Sequence, residues 1–130
     1  MKNSNNQNYV GKSLAIAWFA KNHYQISLPL DVHLPYDLLV DKGDGLIKKV
    51  RVATTSYKNP YDNFEVSLRS MCANYYGTPK ITKFQPSLID YLFVDCEHKE
   101  FYLIPSHQIY SNTKIVMTSY SQFKVFWEDS

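Results

Sequence analysis

Glycine is scarce in this 130-residue chain: there are four, two of them crowded into Lys42-Gly43-Asp44-Gly45. That leaves no glycine-rich loop to cradle a phosphate. The two cysteines, Cys72 and Cys96, have no CxxC spacing, which excludes a zinc ribbon and argues against a disulfide framework. They read as unpaired thiols of a reducing compartment. No apolar run could cross a bilayer, and residues 1–9 are polar and asparagine-rich, with no apolar core of a secretory leader. Arginine occurs twice, at Arg51 and Arg69, and the net charge is only +2, so no basic tail announces nucleic acid. His23, His33, His98 and His107 are scattered without metal-ligand spacing, and no Ser/His/Asp arrangement is visible. A soluble, intracellular (cytoplasmic) protein follows.

What is present is ordinary globular composition, 45% hydrophobic and 20% charged, in a length suited to one domain over residues 1–130. Residues 1–9 are predicted to be frayed and disordered. Aromatic residues reach 15%, including 11 tyrosines, a count that serves a β-rich core or stacking on nucleic acid.

From about Val10 to Lys21 the spacing predicts a helix. Leu14, Trp18 and Lys21 keep helical spacing, while Ala15, Ile16, Ala17 and Phe19 make it apolar over much of its circumference. His23 to Leu28 alternates as a strand, and Phe64 to Leu68 does the same. Arg69 to Pro86 has no sustained period and reads as a loop. Leu88 to Val94 is nearly continuously apolar, the mark of a central strand buried on both faces. A turn over Asp95 to Lys99 leads to a hairpin partner at Glu100 to Ile104, and Pro105-Ser106 opens a turn or short helix. Thr113 to Met117 and Phe123 to Trp127 read as small edge strands or as a tail packed on the core. One helix followed by these strands suits an α/β sandwich with a mixed sheet.

The chain is organised around Leu34 to Thr55, LPYDLLVDKGDGLIKKVRVATT. Leu38-Leu39-Val40 is an apolar run, the glycine-containing cluster supplies a turn, and Lys48 to Thr55 alternates. Val50 and Val52 point one way; Lys49, Arg51, Ala53 and Thr55 point the other. Asp37 therefore starts one strand, while positions 51 and 53 share a face of the next. A carboxylate facing two such positions is the geometry of a metal-dependent nuclease.

This stretch resembles the core of the PD-(D/E)xK nuclease superfamily, a restriction-endonuclease-like α/β fold with a mixed central sheet and a flanking helix. More closely, it is similar to the branch of intron-encoded homing endonucleases, whose second strand typically ends Val-Gln-Val-Lys-Thr. Pro35-Tyr36-Asp37 supplies the first half of the motif. The opening helix and strand, N-F-E-V-S-L-R-S, I-D-Y-L-F-V-D and Y-L-I-P-S also look like family segments, so the resemblance covers about Val10 to Ile109. It implies that Asp37 would be the metal residue, with Mg²⁺ as cofactor of an intact relative and the catalytic positions at 37, 51 and 53. Here the pattern breaks. Arg51 stands where Gln, Glu or Asp would, Ala53 where the lysine would, and no acid occurs between Val10 and Asn22, where many members carry a glutamate. The scaffold matches and the chemistry does not.

The expected reading is a homing-type DNA endonuclease with a degenerate or inactivated site, binding double-stranded DNA without cutting and holding no metal. Arg51 is expected to take the cation's place beside Asp37. Glu65, on the fourth strand, is the one substitute acceptor in prospect. Lys48, Lys49, Lys58, Arg69, Asn74, Tyr75, Tyr76, Lys80 and Lys83 are the candidate DNA contacts, because basic and aromatic residues interleave along them. Site-specific recognition by so small a domain implies a homodimer or larger homo-oligomer, as family members also assemble. The alternative is a naturally non-catalytic DNA-binding or interaction protein on the same fold.

Overall fold

In the computed structural model, residues 4–73, 79–82 and 84–127 are described. A single long helix, α1 (Ser4–Lys21), lies across one face of a six-stranded sheet. Its buried residues, Ala15, Trp18 and Phe19, pack with Val50, Phe93 and Phe101 of the sheet. The indole N–H of Trp18 donates to the Phe126 carbonyl at 3.1 Å, pinning the distal chain to the helix. Asn22 ends the helix by donating its side-chain amide to the Trp18 carbonyl, and His23 turns the chain at φ 67°. No helix among the described residues is long and apolar enough to cross a membrane.

The helix begins earlier than its apolar spacing predicts, so residues 4–9 are helical rather than frayed. The reason is tertiary. Ser4, Asn5, Asn6 and Asn8 have weak propensity, but Asn8 Oδ1 accepts the Thr54 hydroxyl at 3.0 Å and ties the first turns to the sheet.

The sheet comprises β1 (Gln25–Ser27), β2 (Leu38–Asp41), β3 (Lys48–Thr55), β7 (Tyr91–Cys96), β8 (Glu100–Pro105) and β10 (Lys124–Val125), in that spatial order. Only the β3–β7 pair is parallel. The alternation read in Lys48–Thr55 is realised: Val50 and Val52 meet the helix-side core, while Ala53 packs into the other. β7 is buried on both faces as expected, Phe93 toward α1 and Leu92 and Val94 away from it. It starts three residues later than the apolar run and ends two residues later, because Asp95 and Cys96 continue the strand. The turn then falls at Glu97 and His98, at φ 54° and 60°.

On the opposite face lies a two-stranded ribbon, β4 (Glu65–Ser67) with β9 (Lys114–Val116). Val66, Leu68, Ile115, Met117 and Tyr120 close a second core against Leu92, Val94 and Ile104. The result is three layers: helix, sheet and ribbon. The segment read as a loop after Arg69 contains a hairpin instead, β5 (Ser70–Ala73) with β6 (Pro79–Thr82). Its short strands show no simple alternation of apolar and polar side chains, so periodicity does not reveal them.

Candidate functional site

β2 stops at Leu38, which pairs with Val50, so β3 beyond that point has β7 on one side only. Asp37 fills the vacated side. Its N–H donates to the Val50 carbonyl at 2.8 Å and its Oδ2 accepts the Val52 N–H at 2.7 Å. The carboxylate thus replaces a strand carbonyl, and the residue brackets Arg51. On the other side of β3, Asp90 does the same work: its Oδ2 accepts the Lys49 N–H at 2.8 Å, and its own N–H donates to the Lys49 carbonyl at 2.8 Å.

Arg51 and Ala53 share the face turned from the helix. The Arg51 guanidinium lies 5.6 Å from the centroid of the Phe84 ring, over the second core, and Ala53 packs against that core. Asp37, Arg51 and Ala53 are therefore neighbours, as the hairpin pattern predicts. Their surroundings do not suit a divalent cation. One Asp37 oxygen already answers a backbone N–H, Arg51 offers a cation in place of an oxygen, and Ala53 offers nothing. Among the described residues no three His, Cys, Asp or Glu side chains converge. Glu65 is no substitute ligand in this arrangement: its Oε1 lies 3.4 Å from Lys114 Nζ, on the ribbon.

The other predicted residues disperse. Alternation along β3 places Lys48 and Lys49 on opposite faces, and Lys49 Nζ sits 5.5 Å from the Tyr36 ring centroid. Lys58 pairs with Asp62 at 3.6 Å and lies over Phe64. Arg69 follows β4, its side chain exposed. Lys80 is a β6 residue opposite Cys72 in register. Asn74, Tyr75, Tyr76 and Lys83 lie outside the described residues.

Several residues escaped the sequence reading. Asp95 is fully buried, and both its oxygens answer His98, one the backbone N–H and the other the ring Nδ1. With Gln7, Thr54 and Ser56 this pair lines a cavity of about 220 Å³ on the helix side. An acid followed by histidine three residues later gave too little signal to single out. Across the sheet, a larger groove of about 540 Å³ brings Arg69 together with Tyr57, Ser67 and Lys114.

A family model described as PD-(D/E)XK endonuclease matches residues 3–125. The chain belongs to the PD-(D/E)XK endonuclease family. Its membership extends past the segments legible in sequence, through the ribbon strand β9 to β10. Among solved structures it is similar to a bacterial homing endonuclease, I-Ssp6803I, with a TM-score of 0.72 and 21% identity. That likeness covers 88% of this chain and 78% of that one, and it bears on the fold. No curated protein sequence matches the chain. Within this fold, Asp37 and positions 51 and 53 lie together where β2 gives way along β3.

Proposed function

We propose that this PD-(D/E)XK protein is a homing-type endonuclease scaffold that binds double-stranded DNA and no longer cuts it. One observation carries the reading. Beside Asp37, the two β3 motif positions on the ribbon-side face hold Arg51 and Ala53, so neither supplies an oxygen ligand and position 53 supplies no ammonium. Cleavage by the family's route needs a bound cation to lower the pKa of water and clamp the scissile phosphate, and these residues do not fit one. Affinity has a separate origin. Contacts to phosphates supply most non-specific binding and much of specific binding, and they need cations rather than a catalytic site. An arginine where an intact relative binds metal preserves positive charge at the phosphate's position.

The protein is further read as a homodimer or larger homo-oligomer, since one domain of this size covers few base pairs. The connection between β1 and β2 supports this: Leu30 and Val32, two residues apart, are 102% and 86% exposed, apolar surface that a partner subunit would cover.

The test is direct. Fluorescence anisotropy at low salt is expected to register binding of a duplex, with affinity falling steeply as salt rises. A supercoiled-plasmid assay with Mg²⁺ or Mn²⁺ is expected to give no nicks. Cleavage by the unmodified chain, or absence of binding at low salt, would overturn the reading. Light scattering after size exclusion checks the assembly, a monomer at all concentrations counting against it.

A further inference from the structure

The groove of about 540 Å³ lies where the end of β3 meets the β4–β9 ribbon, on the face that carries Arg51 and Ala53. Its floor is tied together by Thr55. That hydroxyl donates to the Glu65 carbonyl at 2.7 Å and accepts the Tyr57 N–H at 3.1 Å, so it is fully used in joining β3 to β4.

Four of the remaining groups can donate: Tyr57, Ser67, Arg69 and Lys114. Ser67 and Lys114 are a register pair across the ribbon and so share a face. Ser67 Oγ accepts the Arg69 N–H at 3.3 Å, which leaves its own O–H to give. Lys114 spends one contact on Glu65, at 3.4 Å, and retains further N–H groups. The Arg69 side chain is exposed, and none of the ion pairs among the described residues uses it. The Tyr57 side chain is also exposed. Glu65 is the one acid lining the groove, so Arg69 and Lys114 leave it net positive. Two cations with two hydroxyl donors suit a chain of singly charged, oxygen-rich groups.

We infer that this groove is a subsite for a phosphodiester backbone, holding the phosphates that flank the one nearest Arg51 and Ala53. Thr55 stands two residues beyond Ala53 on the same strand face, so a backbone crossing the motif enters the groove without leaving that face. The subsite reads charge and shape, not bases, and so contributes equally on any sequence. Lys114, Ser67 and Tyr57 thereby join Arg69 as contacts. The inference rests on the DNA-binding reading above.

The experiment uses the full chain and a labelled duplex of arbitrary sequence, with anisotropy measured across a salt series. Arg69→Gln and Lys114→Gln are each expected to reduce the slope of log K against log salt by about 0.9, and the double variant by about 1.8. Tyr57→Phe, which removes only the hydroxyl, is expected to weaken binding less. A Lys21→Gln/Lys42→Gln control, at the helix end and the β2–β3 turn, is expected to leave the slope unchanged. Because Lys114→Gln strips Glu65 of its partner, Arg69→Gln serves as the variant whose folding is not at issue. If the wild type binds and the groove variants keep its slope and affinity, the groove inference falls while DNA binding stands. If the wild type binds no duplex at low salt, both fall.

Discussion

Asp37 accepts the backbone N–H of Val52 at 2.7 Å, so the residue proposed as the motif acid is also a structural part of the sheet. Replacing Asp37 by Ala leaves a half-buried N–H unpaired and frees β3 where β2 has ended. The expected loss is about 1.5–3 kcal/mol, the range for a hydrogen bond to a charged group. Asp37→Asn keeps an acceptor and is expected to lose less. Urea unfolding of the two variants decides it; an Asp37→Ala protein as stable as the parent would deny the bracket a structural role.

Gly11 sets how closely α1 approaches the sheet. A Cβ there would clash with Thr54 Cγ2 and lie 3.3 Å from Asp95 Oδ2. Thr54 cannot rotate away without breaking its bond to Asn8. Gly11→Ala is therefore expected to destabilise by about 1–3 kcal/mol, the scale of overpacking, although alanine is the better helix former. Thr54→Ser removes the clashing methyl and should recover much of the loss in a double-mutant cycle. Additive effects in thermal melts would show that the contact is not the cause.

Much of this arrangement was legible because it rests on local pattern. The Lys48–Thr55 alternation named the strand and both of its faces, and the continuous apolar run at Leu88–Val94 named a strand with cores above and below. What escaped depends on contacts distant in sequence. The β4–β9 ribbon pairs Ser67 with Lys114, and nothing local to either residue announces the other. Residues 4–9 are helical because Thr54 holds Asn8, which no propensity at the terminus reveals. Asp37 drew notice in the sequence as a candidate motif residue, but its hold on Val52 did not, because a carboxylate that mimics a strand carbonyl has no sequence signature. The groove followed the same rule: Arg69 was visible as a rare arginine, while Lys114, its fellow cation, came from the far end of the chain.

Stability should fall on the alkaline side. Burial, then the carboxylates of Glu100 and Asp95, push the Cys96 thiol up from 9.0 to about 12. Burial, then Glu100, push the Tyr102 phenol up from 10.0 to about 12. Both groups keep their protons in the folded chain after the unfolded chain has released them. Their contribution is intact below pH 9 and is lost progressively as pH rises toward 12, by up to about 1.4 kcal/mol per pH unit for each group. Urea midpoints measured from pH 8 to 11 should decline, and Cys96→Ala should flatten the decline beginning near pH 9. Peptide mapping after alkylation at pH 8 should find Cys96 unmodified until denaturant is added; rapid labelling of the native chain would contradict its burial.

Restoring the motif tests whether the proposed loss of cutting lies in two side chains. Arg51→Gln removes a guanidinium and supplies an amide oxygen beside Asp37, whose second oxygen has no backbone partner in the bracket. Removing one unit of like charge a few ångströms away should raise divalent affinity by on the order of tenfold or more. The same change removes the arginine from the Phe84 ring, so thermal stability in metal-free buffer should drop by about 0.5–2 kcal/mol. Ala53→Lys adds the missing ammonium. Ala53 is half-buried against the ribbon-side core, so the new side chain has to lay its stem along apolar surface and reach outward with its charge. Calorimetry with Mn²⁺ should then rank Arg51→Gln above the unmodified chain, and Asp37→Asn in that background should abolish the gain. Plasmid nicking should appear only in the double variant. Tight Mn²⁺ binding by the unmodified chain through Asp37 would refute the argument, because Arg51 would then be no obstacle to the cation.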